Sequence, residues 1–564
     1  MILTKSKREK FDVNAEVDEK IRNRRLNELL VIVPTNRKIR DLKKHIITSA
    51  PNESTGKINL ETIGTFSTKL FFKDPEIKGT ILSEAASTVL LNQSIQEIKL
   101  KYFSNYKDQI PSGTLERIKN VISEYKKHGI NPDTLRKEYE TLEGSEKLKA
   151  GDIAEIYEKH QLKCDELSVK EIGDVYNQLV KFEKNIFAEN FRKFFPDVNL
   201  IIVHGFDEFT SPEIDILNRT SELPEQELFL SFDYFKYNPL MFSHLDKCYE
   251  KLERSCFRPI IDSSLTEHNK FQTIVREKLF RTKQQQKISD YHDSITKISA
   301  QNREKEIELI VKEIKTLIIE KNVQPNEICL AFNLIQKYSP TIRDIFSVYE
   351  IPFNLTDRYS LDASPPVISV INILEVLEND FYYKNILRAL SGGYLETIGI
   401  HQSNLMRVSV ELKIISGYQN WKDSIDDALS QKFEEADEEF SSLSFKEEDY
   451  KKALEDIETF NELLEPFDKK MSLKEFLDNF TELIYKLNIP IKLVSRGGER
   501  VEENVKAVTV LIETVTELLE LFKLEYSEKE KFNLKFFLSH IRTAVNSSRY
   551  NIKERQGYGV QITT

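Results

Sequence analysis

Four short apolar runs set among long stretches of helical periodicity constrain this chain more than any other feature. They are ELLVIVP (28–34), VNLIIVHGF (198–206), EQELFLSF (225–232) and NEICLAF (326–332). Apolar runs of this length between polar turns suit strands buried on both faces of a parallel sheet, with helices covering those faces. The pattern predicts an α/β fold. The runs fall into two groups, each interrupted by helical sequence. A first α/β unit is expected over 1–81 and 191–235 with a helical insertion at 82–190, then an irregular connection at 236–295. A second is expected over 296–360 and 546–564 with a helical insertion at 361–545. In the first insertion, TLERIKNVISEYKKHGI places Leu115, Ile118, Ile122 and Tyr125 at helical spacing, and Gly129 is a plausible stop. After the second insertion the one strand-like return is GYGVQITT (557–564).

Composition excludes some functions. The net charge is -11 over 564 residues, so the chain is not a globally basic nucleic-acid binder, and DNA contact needs a local basic patch. Residues 1–50 supply one, with 13 Lys and Arg against 7 Asp and Glu. The acidic stretch at 423–450 reads as a solvated face. Four cysteines, at 164, 248, 256 and 329, fit a reducing compartment, with the cytoplasm as the default. No run of about 18 apolar residues predicts a membrane span.

The basic patch coincides with LLVIVPTNRKIRDLKKHI (29–46), which reads as strand, turn and helix. Such a unit often holds a phosphate. A nucleotide's phosphate needs a glycine-rich loop ending in Gly-Lys-Ser/Thr. No glycine occurs in the first 28 residues, and NESTGKIN (52–59) lacks the pattern. A nucleic-acid backbone phosphate suits the stretch better. Thr35 or Asn36 can cap the helix, its first-turn amides face outward, and Ile39, Leu42 and Ile46 form the buried stripe. Arg37, Lys38, Arg40, Lys43 and Lys44 fall mostly outside that stripe. Such contacts grip DNA without reading its sequence. The structural alternative is a surface helix capped for stability alone.

The stretch resembles the Thr-Asn motif of UvrD-type DNA helicases, in which a strand ending in Thr-Asn and a basic helix touch single-stranded DNA. INLETIGTFSTKLF (58–71) resembles the next helicase motif, a strand closing in Thr-Phe, with Thr65 and Phe66 at the matching positions. LIIVHGFDEFTSPEIDIL (200–217) sits where those helicases have their metal-binding acidic strand. NEICLAFNLIQKYSPTIRDIFSVYEIPFNLTD (326–357) resembles the start of the second helicase domain. VPTNR and GFDEFTSPE are closer still to the AddB-type subunit of bacterial AddAB helicase–nucleases, and to the wider PD-(D/E)XK nuclease proteins with helicase-like N-terminal regions. The resemblance implies two RecA-like (P-loop NTPase-like) parallel-sheet domains, each with a large helical insertion. It further implies a non-catalytic, DNA-binding role in double-strand break repair and recombination. The partners it implies are DNA, as single strands or duplex ends, and an AddA-like motor subunit that hydrolyses ATP. The residues it selects for DNA contact are Thr35, Asn36, Arg37, Lys38, Arg40, Thr65 and Phe66.

The departures from the family matter as much. Where an active motor ends its acidic strand in Asp-Glu, this chain has His204 and Gly205, with Asp207 and Glu208 a half-turn later. Asp207 and Glu208 read as a loop or helix-start acid pair, capped by Thr210 or Ser211, and no DNA-stimulated ATPase is expected. No catalytic residue and no cofactor is therefore assigned. Magnesium, and in some members an iron–sulfur cluster, would accompany the family's nuclease domain. That domain's strand pair does not appear, and the chain reads as C-terminally truncated. Cys329 is expected in a buried strand. His244, Cys248, Cys256 and His268 lack a zinc-knuckle spacing. Trp421, the one tryptophan, reads as packing. Two further functions fit the same residues: the scaffold region of a PD-(D/E)XK nuclease, and a protein-interaction scaffold without DNA affinity.

Overall fold

The computed structural model describes residues 1–50, 54–73, 79–106, 110–263, 270–280, 295–432, 446–496, 500–552 and 559–563. The chain divides into two compact units, residues 1–82 with 91–295, and residues 83–90 with 296–564. The fold is α/β, and its largest sheet is mostly parallel. No helix among the described residues is long and apolar enough to cross a membrane.

The described strands of the first unit are β1 (Ile2–Thr4), β2 (Lys10–Phe11), β3 (Leu29–Val33), β4 (Asn59–Thr62), β5 (Thr80–Ile81), β6 (Val169–Lys170), β7 (Leu200–Phe206), β8 (Glu227–Phe232) and β9 (Arg258–Asp262). Seven of them form one sheet in the order β2-β9-β1-β8-β7-β3-β4, while β5 and β6 pair with each other. Within that sheet β1 alone runs antiparallel to its neighbours. Helices up to residue 221 are α1 (Val13–Arg22), α2 (Asn36–Ser49), α3 (Ile63–Phe71), α4 (Glu84–Gln96, whose first turns belong to the second unit), α5 (Ser112–Lys127), α6 (Pro132–Tyr139), α7 (Gly144–Glu166), α8 (Ile172–Leu179), α9 (Lys184–Phe194) and α10 (Ser211–Ser221), and Pro239–Phe242, Asp246–Arg254 and Lys270–Lys278 follow.

Alternation along the strands explains why the sheet is covered twice. Leu29, Val31, Val33, Leu200 and Ile202 pack with Ile21 of α1 and Ile39, Leu42 and Ile46 of α2. Leu30, Ile32, Ile201 and Val203 pack on the opposite face with Phe66 and Leu70 of α3, Phe187 and Phe191 of α9, and Leu217 of α10. Each such aliphatic or aromatic side chain contributes about 1.5–3 kcal/mol on burial, so the short central strands are held by both layers.

Two features of this sheet escape the sequence pattern. The chain opens with a strand, so β3 is not the first. Residues 258–262, read as part of an irregular connection, form β9 beside β1. β1 is only Ile-Leu-Thr, and β9 sets two isoleucines among Arg258, Pro259 and Asp262, so neither stands out as an apolar run.

Away from the sheet, α5, α7 and α8 enclose an ionic cluster. The buried Lys126 ammonium lies 2.7 Å from Glu171 and 3.0 Å from Asp174, and His160 lies 3.5 Å from Glu171. Gly173 lets α8 approach α5, because a Cβ there would fall 2.5 Å from the Lys126 Cβ and 2.7 Å from its carbonyl carbon.

The described strands of the second unit are β10 (Cys329–Ala331), β11 (Phe353–Leu355), β12 (Tyr359–Ser360), β13 (Arg549–Tyr550) and β14 (Val560–Thr563). The parallel order β10-β14-β11 places Val560–Thr563 of the late run between the two earlier strands. Helices Arg303–Lys321 and Ser339–Val348 pack Ile307, Val311, Ile342 and Phe346 against Val560 and Ile562. Cys329 is exposed, contrary to the expectation of a buried strand, because on β10 only Leu330 turns toward that core.

Between β12 and β13, which pair antiparallel at Tyr359 and Tyr550, the described chain is helical. Its core includes Trp421, whose indole N–H donates to the Phe381 carbonyl at 2.9 Å, so the tryptophan packs as expected. Residues 433–445 of the acidic stretch lie outside the described residues.

Candidate nucleic-acid interface

The parallel strands β3 and β4 end at one level, and β7 runs past them to Phe206. Val33 pairs with Thr62, and Ile32 pairs with Val203, which precedes His204. Ligands of open α/β sheets sit at this carboxyl edge, where helix N-termini gather. Here two helices start at it.

Thr35 is the N-cap of α2, in extended backbone, and its hydroxyl accepts the Lys38 N–H at 3.3 Å. The amides of Asn36 and Arg37 precede the intrahelical ladder, and the helix dipole adds partial positive charge there. Thr35, Asn36 and Arg40 are exposed, whereas Arg37 and Lys38 are half-buried. Among the described residues Lys38, Lys43 and Lys44 have no ion-pair partner, which leaves their charge available to an outside anion.

The end of β7 lies against this turn. Gly205, at φ +84°, faces Pro34 and Lys38: a Cβ there would meet the Pro34 Cδ at 3.7 Å and the Lys38 Cε at 3.9 Å. Space is adequate, but the left-handed backbone favours glycine. His204 is half-buried beside Lys38. Burial, and then the ammonium, holds its imidazole below the ordinary value, so it is neutral at pH 7. Asp207 and Glu208 lie beyond Phe206 on the exposed loop that leads to Thr210, the cap of α10. The Thr210 N–H donates to Glu213 at 2.8 Å.

The residues selected from the second motif sit differently. β4 ends at Thr62, so Thr65 and Phe66 fall in α3 rather than at a strand end. The Thr65 hydroxyl accepts the Thr62 N–H at 2.9 Å and donates to Glu61 at 2.7 Å. Phe66 is fully buried, with its ring centroid 6.3 Å from Phe191 and 6.0 Å from Phe195. Its ring is therefore committed to the core and is not placed to meet a base. The alternation of 58–66 carries the signal, because the apolar residues after Thr62 switch to helical spacing.

The chain's opening segment points elsewhere. Because β1 runs antiparallel to β8, residues 5–9 leave the sheet at the amino end of β8, opposite the Thr35 edge. They are also paired: Arg8 lies 2.7 Å from Glu227 and Lys5 lies 3.8 Å from Glu222. Among the described residues no three His, Cys, Asp or Glu side chains gather as a metal site, and His268 lies outside those residues.

Residues 2–272 match the family model described as ADDB, N-terminal. The chain is 23% identical over 533 residues to a Clostridium botulinum (strain Langeland) protein named as an ATP-dependent helicase/deoxyribonuclease subunit, covering 89% of this chain and 44% of that protein. It is 23% identical over 511 residues to the protein of the same name from Clostridioides difficile, covering 84% of this chain and 42% of the relative. The Bacillus licheniformis protein of that name is also 23% identical, over 509 residues, with 82% and 42% covered. The chain thus spans less than half the length of the curated relatives it matches.

Proposed function

Because the chain is AddB-like, with residues 2–272 matching that family's N-terminal model, we propose that it is the DNA-handling, non-catalytic part of a helicase–nuclease that acts in double-strand break repair. The observation that carries this reading is the cationic start of α2 at the carboxyl edge of the sheet. A capped helix N-terminus with Lys38 unpaired suits a backbone phosphate, and Asn36, Arg37 and Arg40 extend the contact along the strand. Thr65 and Phe66 enter as residues that hold α3 beside this edge. His204 and Gly205 replace the acids that would bind magnesium, so ATP hydrolysis falls to an AddA-like partner.

In this reading both units are RecA-like sheets. Residues 82–190 and 361–545 are helical insertions, and the pairing of β12 with β13 closes the second at its neck. Photocrosslinking tests the site. A single strand carrying 4-thiothymidine is expected to attach to the peptide spanning 34–44. Absence of any attachment there, with efficient attachment elsewhere, overturns the assignment.

A further inference from the structure

The helical part of the first unit carries a second feature with the chemistry of a nucleic-acid site. A surface cavity of about 720 Å³ opens between α5, α7 and the loop after α4. Its volume lies within the ordinary range for small-ligand sites. Phe103 and Ile118, both buried, belong to its floor. Tyr102 and Tyr106 line it with 41% and 40% of their surface exposed, each ring also in contact with Phe103, at 4.9 Å edge-on and 6.5 Å stacked. Arg117 and Lys149 bring two cations to the lining, and Asn105 and Thr114 bring neutral hydrogen-bonding groups. No carboxylate lines the cavity among the described residues, and neither cation has an ion-pair partner among them.

The aromatic wall is held in place before any ligand arrives. Asp152 of α7 is 2% exposed, and its carboxylate accepts the backbone N–H groups of Lys101 at 3.0 Å, Tyr102 at 2.8 Å and Phe103 at 3.0 Å. Three charge-assisted hydrogen bonds fix a loop that would otherwise cost ordering entropy on binding. Solvent-exposed aromatic rings beside unpaired cations, on a loop that is already fixed, suit a base and its phosphate.

We propose that this cavity binds one nucleotide unit, with the base against Tyr102 and Tyr106 and the phosphate toward Arg117 and Lys149. The choice of a nucleotide over another planar anion rests on the DNA-handling reading above. The unit can come from a single strand or from a free mononucleotide, which share this chemistry.

The test uses the full chain and two probes, a fluorescein-labelled oligothymidylate of about 16 nucleotides and thymidine 5′-monophosphate. Tyr102→Ala and Tyr106→Ala are each expected to weaken binding about 5- to 150-fold, the range that base stacking gives, while Tyr106→Phe retains affinity. Arg117→Ala with Lys149→Ala should lower the salt slope of strand binding by about 0.7 per cation. Variant dependence seen with the strand alone identifies nucleic acid as the source. The same dependence with the monophosphate identifies a free nucleotide, and binding of the monophosphate alone upholds this site even if the DNA-handling reading fails. Tyrosine variants that keep the parent's melting temperature and bind both probes as the parent does overturn the proposal. Loss of strand binding in Lys38→Ala with Arg40→Ala would then leave the sheet-edge site standing.

Discussion

His204 is the residue at the site whose titration reports on its surroundings. Burial first, and Lys38 second, hold it below its ordinary value of 6.5. Below that pH the unfolded chain takes up a proton that the folded chain resists. The unfolded state then binds more protons, so stability falls as pH drops through 6.5 and is regained above it. Urea midpoints at constant ionic strength should show this slope in the parent and a flatter one in His204→Gln, and equal slopes would contradict it. At Lys126 burial acts against the charge, but Glu171 and Asp174 outweigh it and push the ammonium up. Burial likewise acts against Glu171, whose carboxylate is held well below its usual range by His160 and Lys126. Removing one partner leaves buried charge uncompensated, so Lys126→Ala should lose about 3–5 kcal/mol in denaturant unfolding. A loss under about 1 kcal/mol would mean that the cluster relaxes into water. Residue roles were only partly legible in the sequence. Thr35 was readable because a cap is local chemistry. The burial of Phe66 and the exposure of Cys329 were not, since each depends on which face a later element covers.

Among the elements, α2 has two separable roles. Its cap stabilises: Thr35→Ala should cost about 1 kcal/mol, seen as a lower melting temperature. Its exposed lysines should not, since Lys43 and Lys44 make no ion pair among the described residues and exposed charges add little to folding. A variant Lys43→Ala that lost as much stability as the cap variant would contradict that division. At the crossing of α5 and α8, Gly173→Ala forces a methyl within 3 Å of the Lys126 backbone and Cβ. The helices must part, and a loss of about 1–3 kcal/mol is expected, measured by chemical denaturation. The central strands β3, β7 and β8 were visible as apolar runs, and α5 as a periodic stripe ending at Gly129. β1 and β9 were invisible, because Ile-Leu-Thr is too short and Arg258-Pro-Ile-Ile-Asp262 too polar to read as apolar runs, and both gain their place from neighbours far along the chain. The antiparallel direction of β1 had no sequence signature, yet it sends the glycine-free segment to the far edge from the Thr35 turn.

At the scale of the whole molecule, the two units differ in how their sheets are protected. In the seven-stranded sheet the central strands β3 and β7 are buried over Leu29–Val33 and Leu200–Val203, whereas β10 of the three-stranded sheet is exposed at Cys329 and Ala331. Hydrogen exchange should be slowest at β3 and β7 and markedly faster at β10, and equal protection would contradict the packing described. The central claim concerns the edge where β3, β4 and β7 end. It is that the start of α2 holds a strand's phosphates by charge and exposed amides, without reading bases. The most direct measurement is the salt dependence of single-strand affinity for the parent and for Lys38→Ala with Arg40→Ala. The account predicts weaker binding on every sequence tested, and a slope of log affinity against log salt that is shallower by about 0.7 per cation removed. An unchanged affinity with an unchanged slope would contradict it.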